Sequence, residues 1–408
     1  MKKSVLRQYA ALLVRVGVNI QKGQELRIVS DVEAADFVRL VAEEGYRAGA
    51  SNVYVDWLDQ KISRLGYQKR GLRSLCKVPE WKVEKVRYEA KTLPAAIHID
   101  CEDPDNLRGI NQEKVSRAII AYSSRVKPYR DEMENKYQWL VAAYPGKAWA
   151  KKMFPDDRTS VAVEKLWKAI LDSCMVDGIN DPFKAWEKKN ADFTGRCERL
   201  NKLRFDYLEY KSSNGTDFRC ALMPQSLWAG GGENTLGGVY FNPNMPTEEI
   251  FTTPKSGDCE GRLVSTMPLS LRGVLVENFY IDFKDGKAVS WHAEKGEEAL
   301  SKLIATDEGS CKLGELALVP VDSAISKSGL LYYNTLFDEN ASCHVALGAG
   351  YTSNVEGFAG MTMKELYALG VNDSMVHVDF MIGAGDLCVT GYKDGVATPV
   401  FVNGRFVI

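Results

Sequence analysis

The chain has 408 residues, 45% of them hydrophobic and 26% charged, with a formal net charge of −2 at pH 7. That length predicts two or three domains, and that composition an ordinary globular protein. The near-neutral balance excludes nucleic acid or an anionic membrane as an expected partner, and no run approaches ~20 apolar residues, so no membrane span is expected.

The opening "MKKSVLRQYAALLVRVG" has the basic start of a signal peptide. Arg7, Gln8 and Arg15 interrupt its apolar run, however, and no small-residue cleavage site follows, so an amphipathic first helix is expected. Next comes a β-prone run, Glu25 to Val32, and then a helical pattern that places Phe37, Val38, Val41, Ala42 and Gly45 on one face. Gly49 stops this helix before a second strand at Ser51 to Trp57. Further short apolar runs at Ala95 to Asp100 and Tyr137 to Pro145, with helical patterns between, predict an open, mostly parallel sheet. No G-x-G-x-x-G follows "RIVSDV". The glycine cluster "AGGGENTLGG" lacks the Lys-Ser/Thr of a phosphate loop and reads as a flexible turn, so a dinucleotide site is discounted.

Arg158 to Asn201 is helical in pattern. From Leu203 onward short strand-like runs alternate with turn pairs such as Asn214-Gly215, Asp285-Gly286 and Asp394-Gly395. The expectation is an α/β N-terminal domain with a mostly parallel sheet over residues 1–200, then a strand-rich α+β domain over 201–408. The nine cysteines are odd in number, scattered and without a C-x-x-C pair, which suits a reducing compartment and predicts a cytoplasmic protein.

The stretches with chemistry in them all fall in the second half. In "NPNMPTEEIFTTP", Glu248 and Glu249 are adjacent, so at most one of them faces a given site; the bland alternative is a capped, exposed acidic helix start. In "CKLGELALVP", Glu315 opens an aliphatic run and is either an edge residue in water or a buried group with a partner. "FDENASCHVALGAGY" holds His344, one of only four histidines. In "SMVHVDFMIG" a period of two puts His377 and Asp379 on one face of a strand. His98 and His292 have no useful ligand-type spacing and read as ordinary histidines. Two histidines with several carboxylates suit zinc or cobalt, while manganese and magnesium also occupy such mixed sites. Two ions roughly 3.5–4 Å apart activate a water between them and polarise a carbonyl, which points to amide hydrolysis. The H-E-x-x-H helix is absent. Taken alone, these residues reach a metal-dependent hydrolase and no further.

In order, "NPNMPTEEIFTTP", "GELALVP", "LFDENASCHVALGAGY" and "HVDFMIG" closely resemble the thermophilic-type metalloaminopeptidases, the family of aminopeptidase T, aminopeptidase S and PepS, and the likeness runs along essentially the whole chain. The resemblance implies an exopeptidase with two divalent metal ions in the C-terminal domain, at Glu249, Glu315, His344, Tyr351, His377 and Asp379. It leaves Glu249 and Glu315 as candidates for bridging or base roles, with Glu248 an outside candidate, and Tyr351 as either a ligand or a donor to the oxyanion. It implies a homodimer enclosing a restricted cavity, acting on short peptides with a free N-terminus. The N-terminal domain would then serve as lid, dimer surface or access filter. Cys343 is expected to point away from the site. Another metal-dependent amidohydrolase or dipeptidase, or a non-catalytic metal- or peptide-binding relative, stands as the alternative.

Overall fold

The computed structural model describes residues 1–271 and 273–408, and the chain forms two compact units. One comprises Met1–Lys188 with Gly232–Pro246, the other Lys189–Gly231 with Thr247–Ile408.

The first unit is built on strands β1 (Glu25–Asp31), β2 (Asn52–Leu58), β3 (Ala95–Asp100) and β4 (Trp139–Ala143), in the order β2-β1-β3-β4. All neighbours run parallel, and Asn244–Met245 adds a short parallel edge beside β4. Parallel neighbours need crossover connections, and the helical patterns between the runs supply them. In β1, Leu26, Ile28 and Ser30 are buried while their neighbours stay partly exposed, the period-two pattern of a strand packed mainly on one face. The helix Ala35–Ala48 lays Phe37, Val38, Val41 and Gly45 into the core and stops at Gly49, as its apolar spacing requires. The glycine cluster forms a short hairpin turn. Glu233–Asn234 pairs with Tyr240–Phe241, and Thr235 closes the loop by bonding to Val239 through both its N–H and its hydroxyl.

The second unit holds two antiparallel sheets. One runs in the order β9-β8-β7-β6-β5, where β5 is Trp228–Gly230, β6 Ile250–Thr252, β7 Leu313–Leu318, β8 His344–Gly348 and β9 His377–Met381. The other has nine strands, with Tyr207–Lys211, Asp217–Leu222 and Pro254–Val264 near its middle. One face of the first sheet (Ile250, Leu316, Leu318, Val345, Leu347, Phe380) shares a single core with Tyr210, Phe218, Cys220 and Phe279 of the second. The Phe279 and Phe380 rings meet 5.5 Å apart across it. That core fixes which way every residue on the five-stranded sheet points. The α/β first unit and strand-rich second unit agree with the expected fold class.

Candidate metal centre

Residues directly opposite one another in neighbouring strands share a face. One row across the sheet reads Phe251, Ala317, His344, Met381, and the next reads Glu315, Ala346, Asp379, with His377 opposite Gly348 beyond it. These are the alternates of the core-facing residues, so Glu315, His344, His377 and Asp379 all stand on the far face of one sheet. Ala317 and Ala346, both fully buried, form a low floor between them. The residues are up to 64 positions apart in sequence, yet the strand register makes them neighbours.

Glu249 enters from the loop before β6 and brings its Oε2 to 3.0 Å from His344 Nε2. His377 Nε2 lies 3.0 Å from Glu315 Oε2 and 3.4 Å from Asp379 Oδ1. Glu249, Glu315, His344 and Asp379 are between 1 and 6% exposed. Two triads of ligand-type groups result, Glu249–Glu315–His344 and Glu315–His377–Asp379, and within each the ligand atoms all lie within 4.8 Å of one another. Glu315 belongs to both. The sequence left Glu315 open between an edge position and a buried one with a partner; it is buried, with His377 as partner.

Glu248 and Glu249 do point apart, and no helix begins there. Glu248 pairs with Lys189 at 3.1 Å, and its N–H donates to Asn340 Oδ1 at 2.6 Å. Cys343 turns away from the site, where its thiol donates to Val319 O at 3.4 Å. His98 is exposed on β3, and His292 is an exposed partner of Glu297. Tyr351 stands over the second triad: its hydroxyl is 3.4 Å from His377 Nε2, and the two rings are 4.9 Å apart. Its backbone is tied to Thr253 Oγ1, which receives the Tyr351 N–H at 3.0 Å and donates to Tyr351 O at 2.9 Å.

Sequence reasoning passed over Glu339. This residue sits in a short turn, Glu339–Ala341, with no strand or helix period to mark it. Its carboxyl is held well above the usual range by burial and then by the charges of Asp379 and Glu249, which places it among them. The only available signal was its position five residues before His344 in the recognised stretch. Asn340, fully buried, sends its amide to Leu336 O at 2.8 Å and Glu339 Oε1 at 3.4 Å. It thereby couples this turn to the Glu248–Glu249 loop.

The donor set fits divalent cations. Both imidazoles direct Nδ1 at a backbone carbonyl, His344 at Ser342 O (3.1 Å) and His377 at Ala349 O (2.8 Å). An Nδ1–H donor leaves the Nε2 lone pair of a neutral ring facing a carboxylate, a repulsive arrangement unless a proton or a cation lies between. Asp379 Oδ1 is buried with no hydrogen-bond partner. Three buried carboxyls and the buried His344, with the partly buried Glu339 and His377 beside them, need positive charge. In the ion-free protein protons supply it. Burial alone would lower both histidines, but Glu249 beside His344 and Asp379 beside His377 drive them well above the ordinary imidazole value. Burial pushes Glu315 up to about 7.

The thermophilic metalloprotease (M29) family model matches residues 2–406. Aminopeptidase T of Thermus thermophilus is 41% identical over 100% of this chain and 99% of its own. Aminopeptidase AmpS of Bacillus subtilis (strain 168) is 40% identical over 98% of each. A solved structure of wild-type AmpT from Thermus thermophilus superposes with a TM-score of 0.90 at 40% identity, covering 100% of both chains. The chain therefore belongs to the thermophilic metalloprotease family M29.

Proposed function

We propose that this chain is a metal-dependent aminopeptidase that removes the N-terminal residue of short peptides, using two divalent cations held by triads that share Glu315. The shared carboxylate carries the reading: one group between two complete triads is the arrangement that holds two ions close together. Aminopeptidase T, AmpS and PepS are the names of its full-length relatives, which supports the exopeptidase reading.

Glu249 and His344 would hold one ion, His377 and Asp379 the other, and Glu315 both, with imidazole and carboxylate together suiting zinc or cobalt and admitting manganese. When bound, such a pair polarises a carbonyl and lowers the pKa of water toward neutrality. The backbone carbonyls of Ser342 and Ala349 keep each ring oriented through Nδ1. Glu339 lies in neither triad; with cations offsetting the Asp379 and Glu249 charges that raise it, its carboxylate would take a proton from water and pass it to the leaving amine. Tyr351 O–H faces the second triad and would donate to the oxyanion of the tetrahedral intermediate. A homodimer and a cytoplasmic setting complete the proposal. All nine cysteines are free thiols, which fits a reducing compartment.

The test compares a short leucine-headed peptide with its N-acetylated twin, after chelation and after adding back zinc, cobalt or manganese. Cleavage of the free-amine peptide alone, restored by metal, is expected. Cleavage of the acetylated twin moves the assignment to another amidohydrolase, and no cleavage with any metal leaves a binding protein.

A further inference from the structure

The row that carries His344 does not end at the ligands. On its other side, past the methyl of Ala317, stands Phe251, and beyond Phe251 on the edge strand is Ala229. Phe251 is half-buried, whereas its neighbours Ile250 and Thr252, which face the core, are fully buried. Its ring meets Tyr351 edge-on at 5.3 Å, and Tyr351 in turn lies against His377 at 4.9 Å. An aromatic surface thus runs unbroken from the second triad to Phe251, over a floor of alanine methyls. It is also stiff. Thr253 pins the Tyr351 backbone, and Asn354 Nδ2 donates to Phe251 O at 3.3 Å. Phe251 reaches the triads through Tyr351, and it stays partly exposed on this face.

We infer that Phe251, with Tyr351, forms the apolar wall that receives the side chain of the substrate's N-terminal residue, and that Phe251 sets a preference for bulky aliphatic or aromatic residues there. This inference rests on the aminopeptidase reading. If the triads engage the first amine and the first carbonyl, the side chain between those two groups is the substrate's nearest apolar part. The Tyr351–Phe251 surface is an apolar surface that begins at the triad. Ala229 and Ala317 flank Phe251 in its row with short side chains, so no larger group stands beside the ring there, and a glycine would leave the wall uncovered.

The experiment measures kcat/KM of the metal-loaded protein on two peptide sets. One set varies the first residue (Gly, Ala, Leu, Phe) before a constant second residue; the other varies the second after a constant alanine. In the wild type, Leu- and Phe-headed peptides should exceed the Gly-headed one. Phe251→Ala should reduce the Leu-to-Gly ratio roughly 10- to 100-fold, the range for hydrophobic side-chain discrimination. Phe251→Trp, which puts a larger ring on the same wall, should lower the Phe-to-Ala ratio. A Leu-to-Gly ratio unchanged in both variants, or a change that tracks the second residue, would overturn the inference while leaving the aminopeptidase reading intact. Absence of cleavage of every free-amine peptide by the wild type would overturn both.

Discussion

Removing the ions should expose how much of the second unit's stability depends on them. A cation that binds only the folded state stabilises it by about 2.7 kcal/mol at a concentration 100 times its Kd. Two such sites give roughly 5 kcal/mol, and a unit of about 200 residues shifts by some 2–4 °C per kcal/mol. Chelation at pH 8 should therefore lower the melting temperature of that unit by roughly 10–20 °C, and zinc, cobalt or manganese should restore it. Because Glu315 belongs to both triads, Glu315→Gln should abolish most of the metal-induced shift, not half.

The pH dependence has a definite sign. Glu315 rises from 4.5 to about 7 on folding without ions, so its contribution is complete below about pH 4.5 and lost as pH rises through 7. His344 and His377 are raised above 6.5, so theirs is complete below that and lost at higher pH. Asp379 is lowered below 3.8 by His377, so its contribution is already complete above that value and offsets nothing in this window. The ion-free protein should thus weaken from pH 5 to pH 8. The ion-loaded protein gains, because its ligands must shed protons to bind. Calorimetric scans of both forms should therefore diverge with pH. Parallel curves, or a melting temperature indifferent to every divalent ion, would refute the two-triad account.

Glu249→Gln should reduce kcat/KM by at least 10³-fold and lower the metal content, whereas Glu248→Gln, which loses the largely buried pair with Lys189 and no triad contact, should stay within about tenfold. Peptide kinetics with metal analysis separate the two. Ala346→Val adds two methyls between Glu315 and Asp379; it should abolish metal binding in calorimetric titration while costing about 1–3 kcal/mol of stability in urea unfolding.

The His377–Asp379 pair was legible because a strand has a period of two; the rest of the candidate site came with the family resemblance. Once in a strand, His377 and Asp379 had to share a face; Glu248 and Glu249 diverge in an irregular loop, where no period dictates it. The first unit's sheet was legible for a similar reason: its strand runs and helical faces repeat in order. What the residues alone could not give was the register between strands. Nothing local says that Glu315 lies opposite Ala346, or that Ala346 lies opposite Asp379. Those pairings join segments far apart in the chain, and packing of the shared core selects them. Glu339 escaped for the opposite reason: a residue in a tight turn has no period to read. The glycine cluster reads as a turn, and the bond by which Thr235 closes that turn is a side-chain detail that composition does not reveal.

The glycines of the recognised stretches carry a physical constraint that their motif does not state. Gly314 is the residue at which β7 slips register against β8, between the pairings of Leu313 and Glu315. A Cβ placed on it would sit 2.1 Å from Ala349 O. That carbonyl is the one that accepts from His377 Nδ1. Gly348, at φ +109°, lies opposite His377, and a Cβ there would meet Val376 O at 2.0 Å. The two glycines therefore let the backbone carrying Ala349 approach closely enough to orient the imidazole, while the slip at Gly314 sets the facing of Glu315. A side chain at Gly314 would move the shared carboxylate and the histidine's anchor in a single displacement. The "Gly-Glu" pair is thus one device: the close approach that orients His377 and the register slip that sets Glu315 are made by the same missing side chain.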